Sequence, residues 1–198
     1  AALVYALCLA LGLPAIVGPA FDDIAAQAPH AVCLVNNAAT LDPVGVIGST
    51  DADAIARSLC VNLTAPIVLA GLYCRHFTND AVERRIVNVS SGAAQSAIAG
   101  ESLYSIAKAG LEMLTRALAA ERPSRTLRAI SLRPGIIDTP MQAFARSQSR
   151  ERLPSVDLFQ GFHQAGQLVA PDVVARKVIE RLVLGPIEHG RTYSYAEL

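Results

Sequence analysis

Short apolar runs alternate with longer amphipathic stretches along most of this chain, and the length and spacing of each run predict its element. Residues 4–11 and 31–35 are nearly unbroken apolar runs, the pattern of strands buried on both faces, and residues 19–27 between them carry helical spacing. Thr50-Asp51-Ala52-Asp53 supplies side chains that cap a helix N-terminus, and residues 54–76 follow with helical periodicity. Residues 85–90 read as the next strand, 102–121 as a long helix, 127–132 as a strand, 171–184 as a helix with Pro171 near its first position, and 192–195 as a short last strand. Strands separated by helices form a parallel sheet covered on both faces, so the expected class is a doubly wound α/β fold in three layers. No repeat or low-complexity linker breaks the pattern, and residues 1–198 are expected to form one domain.

Composition narrows this picture mainly by exclusion. With 52% hydrophobic residues the chain can bury a sizeable core, and Lys plus Arg equals Asp plus Glu at 17 each. No global field then points to nucleic acid or anionic lipid, and neither nucleic acid nor a membrane is expected as a partner. Residues 1–17 are almost wholly apolar, but they lack a basic leader, contain Gly12 and Pro14, and are shorter than a typical span of about 20 residues. They read as a buried strand and loop. Cys8, Cys33, Cys60 and Cys74 show no C-x-x-C spacing and sit in apolar segments, as reduced core thiols of a cytoplasmic protein would. His30, His76, His163 and His189 are isolated from one another, and no metal site is expected.

The candidate chemistry is concentrated in Ser91, Tyr104 and Lys108. Ser91 follows the predicted strand 85–90, and Tyr104-Ser105-Ile106-Ala107-Lys108 opens the predicted helix. Four residues make about one helical turn, so the phenol and the ammonium share a helix face. A neighbouring cation favours phenolate and lowers a tyrosine pKa that is otherwise about 10, which suits general acid work near neutral pH. The serine can hydrogen-bond an oxygen on which charge develops. Taken singly, Tyr-x-x-x-Lys also describes a half-buried tyrosine beside a solvated lysine, and Ser-Ser an ordinary turn.

Four landmarks in order resemble the short-chain dehydrogenase/reductase family: Asn36-Asn37-Ala38, Asn62 within Val61-Asn62-Leu63, Ser91 with Tyr104 and Lys108, and Pro134-Gly135 followed by Thr139. The resemblance runs from about residue 20 to the C-terminus and is greatest to the sepiapterin reductase and benzil reductase group, through residues 133–142 and 165–169. It implies a Rossmann-like sheet and hydride transfer between a nicotinamide dinucleotide and a carbonyl or alcohol carbon. By this resemblance Asn62, Ser91, Tyr104 and Lys108 are catalytic. Asn36, Ala38, Tyr104, Lys108, Pro134, Gly135, Ile137 and Thr139 would contact the cofactor, NADP(H) by the subgroup and NAD(H) as the alternative. Asn62 is implied to bend its helix and to hold a water beside Lys108 that returns protons to Tyr104.

Several of these residues have plainer readings. Asn36-Asn37-Ala38 is also a turn after a strand, Asn62 a solvent-facing residue on a helix, and Pro134-Gly135 a strand terminator. Ala39 stands where the family usually has glycine, which a methyl group tolerates only at negative φ. Residues 141–168 are long for a connection and carry Phe144, Phe159 and Phe162, so they read as a mobile substrate lid with an apolar inner face, the alternative being a surface excursion. Where sepiapterin reductases carry an acidic residue near the C-terminus, this chain has Ser194, which favours a bulky apolar ketone or diketone over a pterin.

No Gly-x-x-x-Gly-x-Gly turn is present, and Gly12 and Gly18 with Pro14 between them do not replace it. The first βαβ unit of the family is therefore expected to be missing from residues 1–198. Three functions follow: a carbonyl reductase or alcohol dehydrogenase, a truncated non-catalytic relic serving as a binding or dimerisation module, and a serine hydrolase. The last fails for want of Gly-x-Ser-x-Gly around Ser90 or Ser91. Dinucleotide affinity depends on backbone amides holding the pyrophosphate, so the 198-residue polypeptide alone is expected to bind NADP(H) weakly. Micromolar binding by calorimetry would overturn that expectation. A homodimer or homotetramer is expected through helices 54–76 and 102–121. Leu103, Ile106, Ala107, Leu111, Leu114 and Leu118 cover more than one face of the second, which a lone surface helix would not need.

Overall fold

The computed structural model describes residues 13–198, so the strand expected over residues 4–11 and the Cys8 thiol lie outside the described residues. The first described element is a helix, α1 (Leu13–Ala26), which begins earlier than expected and absorbs residues 13–17, anticipated as strand and loop. Pro19 lies inside it, at a cost of about 3 kcal/mol. Tertiary packing offsets this: Phe21 stacks edge-on against Tyr73 at 6.1 Å and tilts onto Phe77 at 5.5 Å, and Asp22 meets His76 at 2.7 Å.

Strand β1 (Ala31–Asn36) follows, then α2 (Ala52–Leu59), a π-helical turn (Cys60–Thr64) and α3 (Ala65–His76) as one continuous helix. Asp51 caps its start, accepting from the Ala54 N–H at 2.9 Å. The helix Ala52–His76 is long and apolar enough to cross a membrane. Its inward face, with Ala70, Leu72, Tyr73 and Cys74, is buried, as in the core helix of a globular domain. Strand β2 (Glu83–Val89), α4 (Ser102–Glu121) and β3 (Leu127–Arg133) come next, close to their expected bounds. Residues 141–168 are not a structureless connection. They form α5 (Pro140–Arg146) and α6 (Val156–Gln164), too short for a decisive apolar period. Helix α7 (Pro171–Val178) runs into a second π turn (Ile179–Val183), and β4 (Thr192–Ser194) is followed by a short 3-10 turn (Tyr195–Glu197).

The four strands lie in sequence order, all parallel. Ile86 aligns with Leu34 and Ala129, and Val87 with Val35 and Ile130. Because side chains alternate across a strand, Ile86 and Ala129 meet Tyr73 and Cys74 of α3 and Leu118 of α4 on one face. Val87, Ile130 and Leu132 meet Val178 and Leu182 on the other. Each fully buried aliphatic side chain here contributes about 1.5–3 kcal/mol.

Strand β1 departs from expectation: its residues are alternately exposed and half-buried rather than buried on both faces, with Val35 46% exposed and Cys33 also outside the core. It is the edge of the described sheet, with a neighbour on one side only. Cys74 is buried as a core thiol should be, and Cys60 is half-buried.

Candidate active site

The carboxyl edge of the sheet gathers the predicted residues, because Asn36 ends β1, Ser91 follows β2 and Pro134 follows β3. Ser91 is extended and caps a short turn, its Oγ accepting from the Ala93 N–H at 3.2 Å. Against the larger rise from burial, its hydroxyl also lies near enough to Tyr104 to lower the phenol pKa. The preceding serine has a different task. Ser90 Oγ is held between the Lys108 carbonyl at 3.2 Å and the Glu112 carboxylate at 2.9 Å, fastening the end of β2 to α4.

Tyr104 and Lys108 share a face of α4, with the Lys108 Nζ 5.4 Å from the Tyr104 ring centre. Lys108 is 2% exposed and donates to the Val89 carbonyl at 2.7 Å. The expectation that the cation lowers the phenol pKa is not met in this arrangement. Burial pushes Tyr104 up to about 12, against a smaller lowering from the Ser91 hydrogen bond, and pulls Lys108 down to about 8. Desolvation penalises both charged forms, and the Glu101 charge adds to the rise of the phenol. The tyrosine lies beneath α5 and α6, packed with Leu41, Val44, Met141, Phe144, Leu153, Val156 and Phe159. The segment read as a lid therefore has an apolar inner face, seated on the tyrosine.

Asn62 is fully buried rather than solvent-facing. Its Oδ1 accepts from the Thr40 N–H at 2.9 Å, and its Nδ2 donates to the Thr40 carbonyl at 2.8 Å and to Ser58 Oγ at 3.3 Å. The side chain thus clamps the loop that follows β1. The helix is locally π-helical around it, and this turn packs against α4. A Cβ at Gly110 would come within 2.8 Å of a Leu63 methyl, so glycine permits that close approach.

Asn36 is buried and donates to Asn88 Oδ1 at 2.8 Å, which ties β1 to β2. Asn88 donates in turn to Thr115 Oγ1 at 2.8 Å, and Thr115 meets Ser131 Oγ at 2.7 Å. This chain of buried polar groups was missed in the sequence, although Asn88 inside the apolar run Ile86-Val87-Asn88-Val89 was its visible signal. Ala38 is exposed on the following loop, and Ala39 does not have positive φ, so the methyl group is tolerated there.

Gly135 has φ +80°, a conformation that favours glycine, beside the Tyr195 side chain. Ile137 bridges Val169, whose N–H and carbonyl bind Ile136 and Asp138. Thr139 Oγ1 caps α5, accepting from the Gln142 N–H at 3.3 Å. Arg133, just upstream, grips Glu112 with two bonds of 2.8 and 2.7 Å, a bidentate pair that fixes β3 to α4 and that sequence reading did not find. Ser194 is spent on Glu197, to which its hydroxyl donates at 2.6 Å.

Two features suit a dinucleotide along this edge. The Asn36 Oδ1 is buried without a partner, and Gly135 leaves the backbone bare beyond β3. Asn36, Ala38, Lys108, Pro134, Gly135, Ile137 and Thr139 all lie at or beyond the strand ends, or on the helix face turned to them.

Comparison with known proteins agrees with this geometry. The family model described as short chain dehydrogenase matches residues 14–150. Benzil reductase ((S)-benzoin forming) of Bacillus subtilis is 35% identical over 168 residues, 84% of this chain and 69% of the relative. Sepiapterin reductase of Bos taurus is 32% identical over 182 residues, 90% of this chain and 67% of the relative. A short chain dehydrogenase from Burkholderia cenocepacia, solved in complex with NADP, superposes with a TM-score of 0.69 at 29% identity, over 91% of this chain and 70% of that one.

Proposed function

Because the chain belongs to the short-chain dehydrogenase family of oxidoreductases, we propose that it reduces a carbonyl, or oxidises the matching alcohol, with NADP(H) and with Tyr104 as the acid or base. The observation that supports this reading is Tyr104 packed under an apolar cover, with the Lys108 ammonium 5.4 Å from its ring centre on the same helix face. NADP(H) is put before NAD(H) on the likeness to the benzil and sepiapterin reductases, and an NADP-bound neighbour is compatible with it. Asn36, Ala38, Lys108, Pro134, Gly135, Ile137 and Thr139 would hold the dinucleotide. When bound, it supplies the hydride.

The residues of this chain handle the proton and the charge. As the substrate oxygen gains electron density, Tyr104 Oη donates its proton to it and Ser91 Oγ donates a hydrogen bond. The protonated Lys108 ammonium stabilises the phenolate left behind. The side-chain polar atoms of Asn62 are committed to Thr40 and Ser58, so its part is to hold the π turn beside α4, where a water next to Lys108 would hand a proton back to Tyr104. Phe144, Met141 and Phe159 suit a bulky apolar ketone or diketone and exclude bulk water, once α5 and α6 have moved to admit it.

The direct test is NADPH consumption by the full-length protein with benzil. Turnover supports the reading; absence of both turnover and NADPH binding would favour the alternative, a non-catalytic relic of the same fold. Reduction should fall as pH rises through about 8, where Lys108 gives up its proton and no longer stabilises the phenolate. A flat profile from pH about 7 to 9 would remove Lys108 from that role.

A homodimer or tetramer is the proposed assembly. Within α4, Ala107, Leu111 and Leu118 are spent on the core, but Ile106 and Met113 remain 54% and 56% exposed, and Ile67 on α3 is 46% exposed. Light scattering at micromolar concentration should return at least twice the monomer mass. A clean monomer would contradict the shared interface.

A further inference from the structure

Glu101 is buried to 3% exposure, its Oε1 has no hydrogen-bond partner, and no role described above uses it. It precedes α4 at the capping position, yet its side chain makes no capping hydrogen bond. One turn along, the Ser105 hydroxyl is also buried and unpartnered. Tyr104 lies between the two in sequence, three residues or about one helical turn beyond Glu101, and the Glu101 charge adds to the rise that burial gives the phenol pKa. The lid segment roofs this stretch: Ser155 Oγ donates to the Ala99 carbonyl at 2.9 Å, and a Cβ on Gly100 would come within 3.0 Å of the Leu153 side chain.

Burying an unpaired carboxyl is costly, and desolvation pushes Glu101 up to about 7. Nothing in the fold repays this, since neither Glu101 Oε1 nor Ser105 Oγ holds another part of the chain in place. Two unmatched polar groups beside a candidate catalytic tyrosine, in otherwise apolar surroundings, mark a place where the matching groups belong to a ligand.

Building on the carbonyl-reductase reading above, we infer that Glu101 and Ser105 form a polar subsite for a hydroxyl on the carbon next to the reacting carbonyl, making α-hydroxy ketones the preferred substrates. The hydroxyl would donate to the Glu101 carboxylate and accept from Ser105 Oγ. Above about pH 7 the ionised carboxylate only accepts, so a hydroxyl is preferred there over the second carbonyl of a diketone, to which the protonated carboxyl donates at lower pH. An ammonium group is disfavoured by the Lys108 cation on the same helix and by the apolar Leu41, Val44 and Leu153 of the cover. Glu101 precedes Tyr104 by about one helical turn, which sets the hydroxyl beside the reacting carbonyl.

The test compares 2-hydroxyacetophenone with acetophenone, which differ only in that hydroxyl, at one pH above about 7. The full-length protein loaded with NADPH is assayed as wild type, Glu101→Gln and Ser105→Ala. Each is measured by kcat/KM and by calorimetric affinity for the two ketones. The ratio of hydroxy ketone to plain ketone should fall about tenfold or more in Glu101→Gln and by a smaller factor in Ser105→Ala. Ratios within about twofold of wild type in both measures would overturn the subsite. If wild type turns over neither ketone but the calorimetric ratio still falls in Glu101→Gln, the subsite stands and the reductase reading fails. If that ratio does not move either, both fail.

Discussion

Tyr104→Phe is expected to lower turnover by about a hundred- to ten-thousand-fold while fold and dinucleotide affinity are kept, the span general acid catalysis contributes. The substitution retains the ring that packs against Leu41, Val44 and Leu153 and deletes only the hydroxyl. A structural role for that hydroxyl would show as lost stability, about 1 kcal/mol for one hydrogen bond, with turnover nearly intact. The measurement is kcat at saturating NADPH, with calorimetry for the cofactor and a melting curve for the fold. Turnover within about threefold of wild type would remove Tyr104 from the acid role.

Lys108→Met is expected to reduce turnover at least about a hundredfold, because it removes the charge opposite the phenolate. It carries a second, separable signature in stability. Folded Lys108 gives up its proton near pH 8, whereas the unfolded chain keeps it to the ordinary value of 10.5. Between those values the unfolded state binds more protons, so wild-type stability should climb as pH rises through that window. Below about 8 the fold carries the whole penalty, about 3 kcal/mol. The raised Tyr104 phenol acts in the opposite sense, but only above about 10, where stability falls as pH rises. Urea unfolding at pH about 7.5 and 10 should show the climb in wild type and its loss in Lys108→Met. An equal climb in both would place the responsible group elsewhere.

Much of this protein was legible before any coordinates. Long runs with one clear period, residues 102–121 above all, gave the right elements because the burial of a helix face or a central strand writes its period directly into the sequence. The same holds for Asp51 as a cap and for the strand ends bearing Asn36, Ser91 and Pro134. Errors fell where neighbours decide: α1 persists through Pro19 because Phe21 packs on Tyr73 and Phe77, and β1 is half exposed because it is an edge among the described strands. Helices α5 and α6 went unseen because a single turn or two bears too few apolar positions to define a period, although Thr139-Pro140 is a start signal.

The site divides in the same way. Residue type and spacing on one helix determined that Tyr104 and Lys108 share a face, and the order of the landmarks determined the family. Only the tertiary structure decided the charges. The cover over Tyr104 and the burial of Lys108 arise from segments distant in sequence, and their desolvation raises the phenol and lowers the ammonium, against the expectation from spacing alone. Likewise only the folded chain tells Ser90, tied to Glu112, from Ser91, turned to Tyr104, and reveals Glu101 as a buried carboxyl without a partner. Local spacing fixes which face of a helix or strand a side chain occupies. Burial and hydrogen-bond partners come from chain segments that the sequence does not place side by side, and those settle protonation and role.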